Sequence, residues 1–196
     1  EKVSIKGNDS DRLIIPIDNT DTIVIFSTTG RVFQFPVHKI PFSKRTMPGV
    51  SINSLIPAFT SDIVYAVPKS KIEYMMTDPN YKNYIYTISK DSYLKRMDLD
   101  DFVDVPTTKG LVYSKLDEGD IIKDIVFMPA ELELLIFSHN KALRISGEDA
   151  PYIRRTTKGY CGMRTKYDIG GMECIPPDAT HIVVVTNNMH VNKLQL

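Results

Sequence analysis

The chain has 196 residues, and its 24 Lys+Arg balance 24 Asp+Glu to a formal net charge of zero, so the total charge gives no general pull toward phosphate. A hydrophobic content of 42% suits a globular core, and no apolar run nears the ~20 residues that carry a helix across a membrane. Cys161 and Cys174 have neither metal-ligand spacing nor a disulfide framework, which makes a reducing cytoplasm the expected compartment.

The chain opens Glu1-Lys2 without an initiator Met, as a fragment or processed product would. Its first apolar run, residues 13–17, is too short and too broken by Pro16 for a secretory signal. Self-similarity then appears at a period of roughly 48 to 62 residues. One half of the repeat reads as a hairpin: residues 22–35 (TIVIFSTTGRVFQF), 84–97 (YIYTISKDSYLKRM), 134–145 (LLIFSHNKALRI) and 181–194 (HIVVVTNNMHVNKL). Each copy turns at a Ser or Thr corner, namely Ser27, Ser89, Ser138 and Thr186.

The other half reads as a second strand pair that ends at or near proline. Its copies are residues 3–16, 50–68, 111–129 and 160–176. Glycines 49, 110 and 159 precede the last three, and residues 107–110 and 156–159 are both TTKG. The irregular stretch is residues 69–82 (KSKIEYMMTDPNYK), where Tyr74, Met75 and Met76 are expected to form a helical turn over the core, ended by Asp78-Pro79-Asn80. Because the chain starts with one kind of half-repeat and ends with the other, its two ends are expected to pair as one unit, which would close a ring.

Charge is distributed unevenly. Residues 98–133 are strongly acidic, opposed only by Lys109, Lys115 and Lys123, whereas residues 141–166 are basic, relieved only by Glu148 and Asp149. No phosphate-binding glycine loop, dinucleotide fingerprint or HExxH motif is present. His38, His139, His181 and His190 lack partners at ligand spacing, and the cluster Asp98, Asp100, Asp101 and Asp104 reads as a solvated connection rather than a calcium loop.

Residues 134–164 combine an apolar strand ending in Ser138, a return strand carrying Arg144, and a basic loop with Arg155, closed by Lys158-Gly159. This string resembles one blade of the C-terminal DNA-binding domain of bacterial type II topoisomerase A subunits, the gyrase and topoisomerase IV family. That family prefers glycine three places after the corner, which Gly30 obeys and Ser92, Lys141 and Met189 do not. The resemblance implies an all-β, propeller-like β-pinwheel of about four blades, a single DNA-binding domain over residues 1–196. It implies sequence-independent binding and guiding of double-stranded DNA, with two protein partners: the catalytic core of the topoisomerase A subunit, and the ATPase B subunit. No cofactor and no membrane enter that reading.

None of the ten tyrosines has the helical, arginine-flanked setting of the family's DNA-cleaving tyrosine, so no catalytic role is expected of this chain alone. The expected phosphate contacts are Lys141, Arg144, Arg154, Arg155, Lys158, Arg164 and Lys166, then Lys39, Lys44, Arg45, Lys95, Arg96 and Lys109. Gyrases that wrap DNA carry a box rich in Gln, Arg, Lys and Gly. Residues 44–49 (KRTMPG) and 154–159 (RRTTKG) do not match it, which favours a topoisomerase IV-like guiding role. The rival reading is a protein-interaction propeller that docks a basic partner on its acidic sector.

Overall fold

A computed structural model describes residues 13–44, 47, 49–185 and 191–195. The strands in chain order are β1 (Thr22–Ser27), β2 (Arg31–Pro36), β3 (Ile63–Pro68), β4 (Asn83–Ser89), β5 (Tyr93–Asp98), β6 (Leu111–Val112) and β7 (Ile122–Pro129). There follow β8 (Glu133–Ser138), β9 (Lys141–Ser146), β10 (Tyr160–Cys161), β11 (Ile169–Ile175), β12 (His181–Val185) and β13 (Val191–Gln195). They form sheets ordered β3-β1-β2-β6, β7-β4-β5-β10 and β11-β8-β9, plus the hairpin β12-β13. The fold is all-β and propeller-like, as the repeats predict.

Each predicted hairpin is present, and in the first two the corner hydroxyl ties the turn to the return strand. The Ser27 Oγ accepts the Arg31 N–H at 3.1 Å, and the Ser89 Oγ accepts the Tyr93 N–H at 3.1 Å. Both satisfy the first donor of the return strand at a part-buried turn. Gly30 has φ +74°, and Ser92, at the matching place, holds φ +70°. Its hydroxyl fixes it there by donating to the Met163 carbonyl at 2.8 Å and accepting the Met163 N–H at 2.8 Å. In the third hairpin the turn is one residue shorter, and Lys141 already pairs with Ser138. The fourth corner, Thr186, and residues 3–12 of the first half-repeat (residues 3–16) lie outside the described residues.

The second half-repeat differs from its prediction. Its two strands separate instead of pairing with each other. β7 and β11 join the inner edge of their own hairpins, while β6 and β10 cross to the outer edge of the preceding sheet, on β2 and β5. In the first copy no outer strand forms, and residues 52–55 make the single turn α1 (Ile52–Leu55).

Period-two alternation buries both faces of the first sheet. Val24, Phe26 and Val32 meet Ile85, Met97 and Ile125 of the second sheet. Ile25 and Phe33 point the other way, onto Ile56 and Phe59 beside α1. Tyr86, Ile88 and Leu94 then pack the second sheet against Leu134, Ile136 and Met172 of the third. The inner strands β3, β7 and β11 converge on a cleft of about 280 Å³ lined by Tyr65, Lys71, Asp124, Phe127 and Glu173, among others.

The predicted irregularity is helix α2 (Lys69–Met76), followed by an Asp78 turn in which the Asn80 N–H donates to the Asp78 carboxylate at 2.9 Å. Ile72 and Met75 face the core, whereas Tyr74 and Met76 are exposed. Among the described residues no helix is long and apolar enough to cross a membrane.

Candidate nucleic-acid interface

Three crossovers leave the outer hairpin strands at residues 37–62, 99–110 and 147–159. The second and third end as the outer strands β6 and β10 of the preceding sheets, so they run along the perimeter. Their common TTKG ending has a steric cause. Gly110 and Gly159 adopt φ +62° and +110°, and a Cβ would lie 2.6 Å from the Phe33 ring and 2.9 Å from the Leu94 carbonyl oxygen, respectively. Only glycine brings the backbone this close to the neighbouring sheet.

The third crossover holds the densest predicted cations. The Thr157 N–H and hydroxyl both turn back to the Arg154 carbonyl, at 3.2 and 2.6 Å. Arg154 is exposed and has no carboxylate partner among the described residues. The Arg155 guanidinium donates to the Val112 carbonyl at 3.3 Å and lies 3.7 Å from Asp101. Lys158 pairs with Asp117 and sits 3.6 Å from the centre of the Tyr93 ring.

Lys95 departs from its predicted role. It is fully buried, and its ammonium donates to the carbonyls of Tyr113 at 2.7 Å, Arg155 at 2.8 Å and Thr157 at 2.7 Å. Three acceptors match the three N–H donors of an ammonium. Burial pushes its pKa down to about 7, opposed by the charge of Asp101. No phosphate can reach it. The cause is its place on β5 opposite Thr87, the site that Phe33 occupies on β2, so its side chain points inward.

Arg96 is likewise engaged within the protein. Its guanidinium lies 5.0 Å from the Tyr84 ring centre and 5.8 Å from that of Tyr152, and donates to the Gly147 carbonyl at 3.3 Å. Beside it, Asp98 bonds the Tyr152 hydroxyl and pairs with Lys82 at 2.9 Å. Burial alone would raise that carboxyl, but the two hydrogen bonds outweigh it and hold it below its ordinary range.

The remaining predicted cations divide by partner. Arg144 donates to Glu133 at 2.8 Å through its Nε. Lys39, Lys44, Lys109, Lys141, Arg164 and Lys166 are exposed, and Lys166 lies 5.3 Å from the Tyr167 ring centre. Arg45 lies outside the described residues. The two charge blocks do not form separate sectors, since Asp101 and Asp117 of the acidic stretch meet Arg155 and Lys158 of the basic one. Lys82, Tyr84 and Tyr152 are not among the expected residues; the pairing of Tyr84 with Asp98 joins the first two to this cluster, and the Arg96–Tyr152 bridge adds the third.

The profile of the DNA gyrase C-terminal domain, beta-propeller, matches residues 21–54, 83–126 and 133–168. The chain is 28% identical over 183 residues to the DNA gyrase A protein of Mycolicibacterium smegmatis, covering 90% of this chain and 20% of that protein. With the DNA gyrase A protein of Treponema pallidum it shares 28% over 138 residues, 70% of this chain and 16% of that one. It thus spans a fifth or less of the length of these curated relatives. A crystal structure of the C-terminal domain of DNA topoisomerase IV superposes with a TM-score of 0.74 at 22% identity, over 92% of this chain and 55% of the other. A DNA gyrase A C-terminal domain gives 0.70 at 18% identity, over 98% and 61%.

Proposed function

The chain belongs to the DNA gyrase C-terminal β-propeller family, and on that premise we propose that it binds duplex DNA along its outer rim, without reading sequence and without catalysing a reaction. Residues 1–196 act as one DNA-binding domain of a cytoplasmic type II topoisomerase. It hands the duplex to the enzyme's catalytic core, which works with a separate ATPase subunit. One observation carries this reading. The third crossover lies on the perimeter and presents exposed Arg154 beside Arg155 and Lys158, a placement suited to phosphate contact.

The mode is guiding rather than full wrapping. Arg144, Arg155 and Lys158 each have a carboxylate neighbour, which lowers the charge available to hold a strongly bent duplex. The same pairing disfavours the docking of a basic partner on the acidic stretch, because Asp98, Asp101, Asp104 and Asp117 already have cationic neighbours.

Charge reversal tests the proposal. Changing Arg154, Arg155 and Lys158 to Glu should weaken duplex binding, and changing Asp98, Asp100 and Asp101 to Lys should not. The opposite pattern would overturn it.

A further inference from the structure

Lys95 is a buried cation that the rim-binding reading leaves without a role. Its stem runs inside the second sheet, and its ammonium joins three chain segments that are far apart in sequence. Tyr113 follows β6, the strand lent to the first sheet, while Arg155 and Thr157 belong to the crossover that closes on the second. At the corresponding places on β2 and β9 stand Phe33 and Leu143, which offer no donor. A single lysine therefore replaces an apolar residue where the most basic crossover passes overhead.

Removing an ammonium from water is costly unless its donors are satisfied. An apolar residue would fill the same space without that cost, so the lysine contributes bond direction more than stability. The direction is specific. Bonds to the carbonyls of residues 155 and 157 turn those carbonyls inward, and the turn closed by Thr157 on Arg154 leaves the Arg154 side chain exposed. Asp101 and Arg155 are the charged groups facing this point, and Tyr113 covers it from the first sheet.

We infer that Lys95 is a positioning residue for the rim, holding residues 154–158 in the shape that meets phosphate while touching no phosphate itself. The inference rests on the duplex-binding reading. Coupling runs both ways, so DNA that holds the crossover must also tighten the cover over Lys95.

The test uses the whole chain and a labelled duplex of random sequence. In the wild type, amine acetylation followed by mass spectrometry should find Lys95 slow to react, and slower still when the duplex is added, together with Lys158. Protection of Lys158 with no change at Lys95 would overturn the inference. Lys95→Met removes both Lys95 bonds to the crossover and should raise trypsin cleavage after Arg154, Arg155 and Lys158 by at least about tenfold, with cleavage elsewhere unchanged. The same variant should give a shallower dependence of duplex affinity on salt. A merely structural role would raise cleavage throughout and leave the salt dependence as it was. If the duplex protects no lysine, the binding reading fails, and cleavage in Lys95→Met still decides whether the crossover is held by Lys95.

Discussion

The Tyr113 hydroxyl donates to the Ser27 carbonyl oxygen at 2.9 Å, with both residues fully buried. The bond ties the segment after β6, lent by the second repeat, to the corner of the first hairpin. The Tyr113 carbonyl in turn accepts from Lys95. Tyr113→Phe keeps the ring against Phe26, 5.3 Å away between centres, and removes one of two hydrogen bonds to the Ser27 carbonyl, which still accepts the Gly30 N–H at 3.2 Å. Urea unfolding should show a loss of about 0.5 to 1.5 kcal/mol, the net worth of one hydrogen bond, with duplex affinity unchanged.

Gly110 and Gly159 are expected to tolerate no side chain. Alanine at either place meets a left-handed φ and a contact under 3 Å with the preceding sheet. Each substitution should cost more than about 1 kcal/mol in unfolding experiments, and Gly159→Ala should also speed trypsin cleavage after Lys158. Substitution of the exposed Gly49, with nothing near its Cβ direction, should be close to neutral.

Lys95 gives stability a defined pH dependence. Its pKa falls from an ordinary 10.5 to about 7 in the fold, so between those values the unfolded chain holds a proton that the folded chain has released. Stability must therefore rise with pH through that window, and the penalty of burying the charge is complete below it. Urea titrations of wild type and Lys95→Met at pH 6 and pH 9 isolate the effect. The wild type should gain on the variant at the higher pH.

Asp117 and Asp101 restrain the cations of the third crossover. Asp117→Asn frees Lys158 and should tighten duplex binding about two- to threefold at low salt, less at high salt, as expected for exposed pairs. Weaker binding in that variant would mean that Asp117 orients Lys158 for its contact rather than competing for it.

The hairpins were legible because each is local: alternating apolar residues, a hydroxyl corner and a short turn all lie within about fourteen residues. Helix α2 was legible from spacing, since the extra length between Ser27 and Ser89 had to go somewhere. The exchange of β6 and β10 between sheets was not, because a two-residue strand has no periodicity and its partners are set by the third dimension. Identical TTKG segments were the one visible trace, and their meaning is steric. Lys95 and Arg96 looked alike in sequence as neighbouring bases on one strand. Alternation sends Lys95 into the interior and Arg96 between Tyr84 and Tyr152, so neither is placed as a simple count of charges suggests.

The most direct measurement is fluorescence anisotropy of a labelled duplex of about 40 base pairs, a length chosen to follow the rim, titrated with the wild-type chain at several salt concentrations. Rim binding predicts micromolar affinity and a plot of log affinity against log salt with a slope near roughly −5, made shallower by about 2 to 3 when Arg154, Arg155 and Lys158 are changed to Glu. No binding at low salt, or a slope that the triple change leaves untouched, would contradict it.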